Sequence, residues 1–373
     1  MKIIICGNSY WSLENFRKEL IKELLKKNDL YLMSTGLKKK LIKQFNEHNL
    51  LDVNFDNKFG YFTFLNEIKN LILIFFYYSK IKPDLVLSFN IKPVIYNTII
   101  SFFFPQVKII NTITGSGRVF QKKQVFYKLI SKLYVFLIRR SDKIFFQNKF
   151  DAKLFMGTNS TLKKKSIIVN GSGVNLKKYS NNNLDKLNCN FLFASRLMYI
   201  KGVMEYLNAA EIVKKKYKKK VNFFLAGEIK NNDNDYLSSN RLLYYVRKKT
   251  IRYLGFQSDI RKIFKKANCV VLPSKLNEGV PRILIEAAAS SKFLISSARP
   301  GCNSIVNSKY NGFLIKNINK ESLAKNMINY LNLPNKFKKI YYKNSKKISS
   351  RFYEKDIVNI YLNQINKLKN KNS

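Results

Sequence analysis

Strand-length apolar runs alternate with helix-length periodic segments from one end of this chain to the other. That alternation predicts an α/β protein built from parallel β-α-β units. The pattern breaks near residue 170, in a stretch rich in Gly, Ser and Asn, and then restarts. The break predicts two doubly wound, Rossmann-like parallel sheets in tandem. A length of 373 residues agrees, being too long for one ordinary core and suited to two. We expect a first domain over 1–172, a second over 185–350, and a closing helix over 352–369 that packs back on the first.

The first half opens on "KIIIC", residues 2–6, followed by "SLENFRKELIKELLKKN", residues 12–28, with apolar residues at helical spacing. "LYLMS", "DLVLSF", "VKIINTI" and "KIFFQN" read as further strands with helix-like segments between them, one of them near 124–139. In the second half, strands are read at 191–195, 221–227, 251–256, 269–274 and 293–297. Helices are read at 203–218, near 238–248, at 258–266 and at 281–290, with closing helices at 319–332, 335–348 and 352–369. In such sheets ligands bind beyond the carboxyl ends of the strands, which directs attention to the loops after strands.

Composition bounds the function classes. The chain holds 69 Lys and Arg against 23 Asp and Glu, a formal charge of +46. A charge of that size invites a nucleic-acid or membrane reading. However, the lysines are scattered rather than gathered in one arm, and Asn, Ile, Tyr and Phe, which share A/T-rich codons with Lys, are also abundant. Codon bias accounts for much of the excess; attraction to anionic lipid headgroups or lipid-linked phosphates can coexist with it. The four cysteines, Cys6, Cys189, Cys269 and Cys302, lie far apart and read as buried reduced thiols. The single histidine, His48, sits in the polar patch "QFNEHNL" and reads as a surface residue. No signal peptide is read, because the polar "GNS" cuts the first apolar run short. The stretch 59–79 is interrupted by Glu67 and Lys69, so a long amphipathic helix on a sheet is expected there rather than a membrane span.

Several loops after strands carry polar groups. "CGNSYW" holds only Gly7 where a dinucleotide-binding turn needs three glycines, so the loop gives NAD binding almost no support, while Asn8 and Ser9 can offer hydrogen bonds or simply form a polar turn. "NTITGSGR", residues 111–118, places Gly115 and Gly117 where backbone can approach a ligand; a tight turn without a ligand serves equally well. "ASRLMYIKGV" puts Arg196 and Lys201 after the first strand of the second half, a guanidinium and an ammonium that suit a diphosphate, although taken alone in so basic a chain they read equally as a solvated surface. "NEGVPRILIEA" follows another strand. Pro281 fits the first position of a helix, and the N–H groups from Arg282 onward then favour an anion. Glu286 lies a turn further in, where a carboxylate can accept from a pair of sugar hydroxyls, and Glu278 can reach another hydroxylated or cationic group. "DND" at 233–235 sits in an Asn-rich polar loop and is rejected as a metal motif.

Taken together, "ASRL", "KGV", "YLGF", "VVLPS", "EGVPRILIE" with its E-x7-E spacing, "GC" and "NGFL" stand in an order that resembles the retaining glycosyltransferases of family 4. "SFNIKPVIYNTI", "NTITGSG", "FFQN" and "GSGVNLKKYS" are similar to the branch that builds bacterial lipopolysaccharide, capsule and lipid-linked oligosaccharides. The resemblance implies the GT-B fold, two Rossmann-like domains facing across a cleft. It implies a nucleotide sugar as co-substrate, with UDP as the nucleotide, and no metal or other cofactor. The implied acceptor is a lipid-linked glycan on undecaprenyl diphosphate. The enzyme would then be cytoplasmic, peripheral on the inner face of the plasma membrane and in contact with its anionic lipids, with no nucleic-acid partner.

Roles follow for matching positions. Arg196 and Lys201 would neutralise the departing diphosphate, Glu278 would contact the donor sugar or its phosphate surroundings, and Glu286 would hold the ribose. Gly279, Val280, Pro281, Arg282 and Ile283 would line the donor with backbone N–H groups, and Gly227 and Gly255 would lie near the nucleotide. Asn8, Asn90, Lys92, Thr114, Gly115 and Gly117 would face the acceptor. The chain departs from the family pattern at Asn303 and Ser304, where Arg-Glu often stands. Two other classes compete: a UDP-sugar 2-epimerase, which needs acid-base carboxylates and a histidine, and a basic nucleic-acid-binding protein, which needs a basic stripe with interleaved aromatics.

Overall fold

A computed structural model describes residues 1–36, 49–55, 61–117, 120–121, 124–179, 189–217, 221–231 and 233–370. His48, Arg118 and residues 180–188 of the polar stretch between the two sheets lie outside the described residues. The chain divides into two compact units, Met1–Ser172 with Glu354–Ser373, and Gly173–Tyr353.

Unit 1 holds β1 (Lys2–Ser9), β2 (Asp29–Thr35), β3 (Leu50–Asp52), β4 (Leu85–Phe89), β5 (Lys108–Ile113), β6 (Lys143–Phe146) and β7 (Ser166–Ile168). Among the described residues they form a seven-stranded parallel sheet in the order β3-β2-β1-β4-β5-β6-β7. Its helices are α1 (Tyr10–Leu25), α2 (Tyr61–Ile81), α3 (Ile91–Ser101), α4 (Val125–Leu137), α5 (Lys149–Met156), α6 (Ser160–Lys165) and α14 (Glu354–Lys369). Ile3, Ile4, Ile5 and Cys6 are all buried because helices cover both faces of β1, which is why this strand reads as a continuous apolar run. Ser9 then caps α1, its Oγ accepting from the N–H of Ser12 at 3.2 Å. The last helix shares a core with α1: Tyr361 stacks on Phe145 at 4.0 Å, and its hydroxyl meets that of Thr112 at 2.9 Å.

Unit 2 holds β8 (Cys189–Ala194), β9 (Val221–Ala226), β10 (Arg252–Tyr253), β11 (Cys269–Leu272), β12 (Phe293–Ser297) and β13 (Gly312–Ile315). They form a six-stranded parallel sheet, β10-β9-β8-β11-β12-β13. The helices are α7 (Val203–Tyr217), α8 (Ser239–Arg247), α9 (Arg261–Phe264), α10 (Arg282–Ala289), α11 (Pro300–Asn303), α12 (Lys320–Asn332) and α13 (Asn335–Ser349). Phe191 and Phe223 stack across β8 and β9 at 5.1 Å, and Tyr206 of α7 donates its hydroxyl to the carbonyls of Phe191 and Phe224, pinning helix to sheet.

Both sheets reverse direction beside their first strand, between β1 and β4 and between β8 and β11. A crevice opens at the carboxyl ends there, because the connections leave on opposite faces. Two expected elements shrink. The strand over 251–256 keeps only Arg252 and Tyr253, since it pairs on one side alone, with β9, and Gly255 turns the chain at φ 68°. The helix over 258–266 is confined to α9, initiated when Asp259 accepts from the N–H of Arg261 at 3.1 Å. The stretch 59–79 forms α2, and no described helix is long and apolar enough to cross a membrane.

Candidate active site

In unit 2, the loops after β8 and β11 meet. The loop after β8 turns through Tyr199–Lys201 and ends on Gly202, whose φ is 81°. A Cβ there would stand 2.2 Å from the Pro273 carbonyl oxygen, so only glycine lets this loop lie against the exit of β11. The N–H of Lys275 donates to the carbonyl of Ile200 at 2.8 Å and ties the two loops together. Lys201 Nζ thereby comes within 2.6 Å of Glu278 Oε2, with side chains only 9% and 15% exposed.

That pair is electrostatically settled. Burial pushes the Glu278 carboxyl up, but the Lys201 ammonium, hydrogen bonds from Lys201 and Ser274 and the charge of Arg196 outweigh it. Its pKa falls below the ordinary glutamate value, so the carboxylate is charged at neutral pH. Arg196 is exposed in the same loop. The sequence left open whether Glu278 serves the sugar or a cation of the protein; its carboxylate is held by Lys201. Gly301, at the start of α11, presses on this loop from the other side: a Cβ would lie 1.9 Å from the Gly279 carbonyl oxygen and 2.3 Å from that of Glu278. Cys302, next to it, is buried, and burial together with the Glu278 charge pushes its thiol up to about 11.

Pro281 stands one place earlier than the sequence suggests. It is the N-cap of α10, with ψ 116°, and its carbonyl accepts from the N–H groups of Leu284 and Ile285. The fixed φ of proline suits either position; ψ decides. Val280 is buried beneath the turn, and Ile283 packs on the core. Glu286 does not stand open. Its Oε1 accepts from Arg282 Nε at 2.8 Å, while Arg282 Nη1 reaches the Gly173 carbonyl at 3.0 Å. The Tyr179 hydroxyl also hydrogen-bonds Glu286, and burial followed by the Glu286 charge raises its pKa. Gly227 links the neighbouring loops, donating its N–H to the Gly255 carbonyl at 2.9 Å and accepting from the Tyr253 hydroxyl at 2.8 Å. A cavity of about 280 Å³ beside Tyr179, lined also by Arg261, Lys262 and Lys265, includes none of the residues singled out in the sequence.

The loops at the carboxyl ends of β1, β4 and β5 in unit 1 are of different chemistry. Asn90 adopts φ 76° and ψ 163°, a region nearly reserved for glycine, and donates Nδ2–H to Thr114 Oγ1 at 3.0 Å. Thr114 opens the loop that carries Gly115 and Gly117, which Asp151 of α5 anchors by accepting from the N–H of Ser116 at 3.1 Å. Asn8 Oδ1 is buried without a hydrogen-bond partner. Lys92 instead pairs with Glu67 of α2 at 2.6 Å. In unit 2, Asn277, a residue the sequence reading passed over, likewise has a buried Oδ1 with no partner, next to Glu278. No group of three or more His, Cys, Asp or Glu that could hold a metal ion occurs among the described residues.

Comparison with known proteins follows the same division. Residues 178–348 match the family model for glycosyl transferases group 1, and residues 7–148 match the glycosyl transferase 4-like model. Over 210 residues the chain is 28% identical to the N,N'-diacetylbacillosaminyl-diphospho-undecaprenol alpha-1,3-N-acetylgalactosaminyltransferase of Campylobacter jejuni. That alignment takes in 52% of this chain and spans about half of the relative, 53%. Among solved structures, HepE from Anabaena in complex with UDP and glucose superposes with a TM-score of 0.77 at 17% identity, covering 98% of this chain and 100% of that one. A glycosyltransferase from Rickettsia africae gives 0.74 at 19% identity, covering 100% and 99%. A sucrose-phosphate synthase from Thermosynechococcus elongatus gives 0.76 at 14%, covering 100% of both. At these identities the likeness shows the shared fold.

Proposed function

The chain belongs to the glycosyltransferases of GT-B type, and from that premise we propose that it moves a hexose or N-acetylhexosamine from a UDP-sugar to a growing glycan on undecaprenyl diphosphate, with retention of configuration. The observation that carries this reading is the buried Lys201–Glu278 pair at the point where the unit 2 sheet reverses. Glu278 holds the Lys201 side chain in place, and Arg196 adds an exposed guanidinium in the same loop.

A departing UDP gains negative charge at the transition state, and cations held in place beforehand stabilise that charge without reorganising. The N–H groups at the start of α10 add partial positive charge. Glu286 takes the ribose hydroxyls, exchanging or sharing its bonds with Arg282 and Tyr179. The acceptor hydroxyl passes its proton to the departing phosphate oxygen on the face it attacks, which gives retention and uses no histidine base. On this reading neither a metal nor a further cofactor is needed. The neutral amides and hydroxyls of Asn8, Asn90 and Thr114 suit a sugar acceptor. The reaction takes place at the cytoplasmic face of the membrane that carries the lipid.

The test is sugar transfer from UDP-sugars to a lipid-diphosphate saccharide, with the anomeric configuration of the product read by NMR. Transfer with inversion contradicts retention. Conversion of the UDP-sugar without any acceptor would favour an epimerase instead.

A further inference from the structure

We propose that the outer faces of α2 and α4 in unit 1 form a docking surface for an anionic lipid bilayer. Right-handed crossovers from β3 to β4, β4 to β5 and β5 to β6 place α2, α3 and α4 on the same side of the sheet. The middle helix, α3, is mostly buried and shares its core contacts with both neighbours. Helices α2 and α4 flank it, and α5 and α6, on the crossover from β6 to β7, continue the layer beyond α4.

The outward faces of α2 and α4 are the reverse of what a solvated helix shows. On α4, Val125, Leu129 and Phe136 fall at i, i+4 and i+11, one face, and all are exposed, Val125 by 72%. Lys128, Lys132 and Arg139 run along the edge of that same face and are exposed too. The opposite face buries Tyr134 and Leu137, so α4 is apolar on both sides. A globular helix puts its charged residues where these apolar ones stand. On α2, Leu65, Ile72 and Phe76 share an exposed face at i, i+7 and i+11, with Lys69 and Lys80 beside them. Phe103, just past α3, is 66% exposed and packs edge-on against Phe75 of α2, extending the apolar strip. More than half of the large exposed hydrophobic side chains among the described residues lie on this layer.

The charge selects the occupant. There is no acid on α4, and the one acid of α2, Glu67, is paired with Lys92. A second copy of this face would set cations against cations with no carboxylate between them. Apolar side chains with lysines at their margin are the composition that settles at an anionic lipid interface, where each cation adds attraction and each apolar side chain inserts. The inference deepens the proposed function and rests on it for the purpose of docking, since the proposed acceptor is lipid-borne.

The experiment is flotation of the full chain with vesicles of phosphatidylglycerol and phosphatidylcholine, against phosphatidylcholine alone. Wild type is expected to float with the anionic vesicles only, less so as salt rises. Leu129→Ser with Phe136→Ser, and separately Lys128→Glu with Lys132→Glu, should each weaken binding about tenfold or more. Both variants should keep the wild-type rate toward a short-chain acceptor dispersed in detergent. Hydrogen exchange on wild type should show protection of 65–80 and 125–139 when vesicles are added, a readout that needs no variant to fold. Equal flotation of variants and wild type overturns the proposal, as does protection elsewhere. A concentration-dependent dimer that these substitutions abolish, with no vesicle binding by wild type, assigns the face to a second copy and also overturns it. Vesicle binding through this face without any sugar transfer upholds the surface and removes the proposed function.

Discussion

The loops at the carboxyl ends of the two sheets are built from opposite materials. In unit 2 the groups are ionic and already matched: Lys201 with Glu278 and Arg282 with Glu286, in loops that two close-packed glycines force together. In unit 1 Asn8, Asn90 and Thr114 offer neutral amides and a hydroxyl, the charged groups Lys92 and Asp151 are engaged by Glu67 and by the Ser116 N–H, and what is unusual is backbone strain at Asn90. Fixed charge is what stabilises a departing diphosphate, whereas neutral donors and acceptors recognise hydroxyls without attracting phosphate. This contrast is what the proposed function builds on, with the donor proposed at unit 2 and the acceptor at unit 1.

The largest expected effect comes from breaking the ionic side. Lys201→Ala should lower the transfer rate by about 10² to 10³-fold, the scale of losing one preorganised stabiliser of developing charge. It should also cost about 3–5 kcal/mol of stability, because Glu278 is left buried without its ammonium partner; thermal or denaturant unfolding reads this. Folding lowers the Glu278 pKa, so the stability the pair adds is present at neutral pH and lost as pH falls through that lowered value, below the ordinary glutamate range. Glu278→Gln should flatten that acid limb of the stability curve.

Gly202→Ala should come next. The new Cβ meets backbone at the Pro273 carbonyl, so the loop must move, and stability and UDP affinity should fall together, with about 1–3 kcal/mol lost in unfolding. On the neutral side the signs separate. Asn90→Gly relieves a strained φ while removing the hydrogen bond to Thr114. Stability should hold or rise, UDP affinity should not move, and turnover with acceptor should drop about tenfold. Equal loss of UDP affinity in Asn90→Gly and Lys201→Ala would erase the contrast between the units.

The smallest effect on transfer is expected at Lys292, buried at the amino end of β12, opposite the loops. Burial alone pushes its ammonium down to about 8. The folded chain therefore releases a proton that the unfolded chain keeps, and stability rises with pH between about 8 and the ordinary lysine range. Lys292→Met should remove that slope and stabilise the protein at neutral pH by on the order of 2 kcal/mol, leaving transfer unchanged.

Sequence periodicity located the long buried strands and most helices, because continuous burial and helical spacing leave a signal in composition. The edge strands β3, β7 and β13, three or four residues each and only partly buried, lack the continuous apolar run that marks the equally short but fully flanked β11. Within the site, Arg282 and Glu286 are four apart on one helix, a spacing that predicts their contact. Lys201 and Glu278 are far apart in sequence, and only the loop crossing at Gly202 joins them. Gly202 and Gly301 were visible as letters of "KGV" and "PGC", but their steric role depends on backbones from other loops. Strain at Asn90 and the buried Oδ1 of Asn277 leave no mark in the sequence at all.

Binding of UDP, measured by calorimetry on wild type, Lys201→Ala and Glu286→Ala, tests the central claim most directly. The account predicts that wild type binds UDP and that each substitution weakens it by about tenfold or more. Wild-type affinity in both variants, together with undiminished turnover of the UDP-sugar, would contradict it.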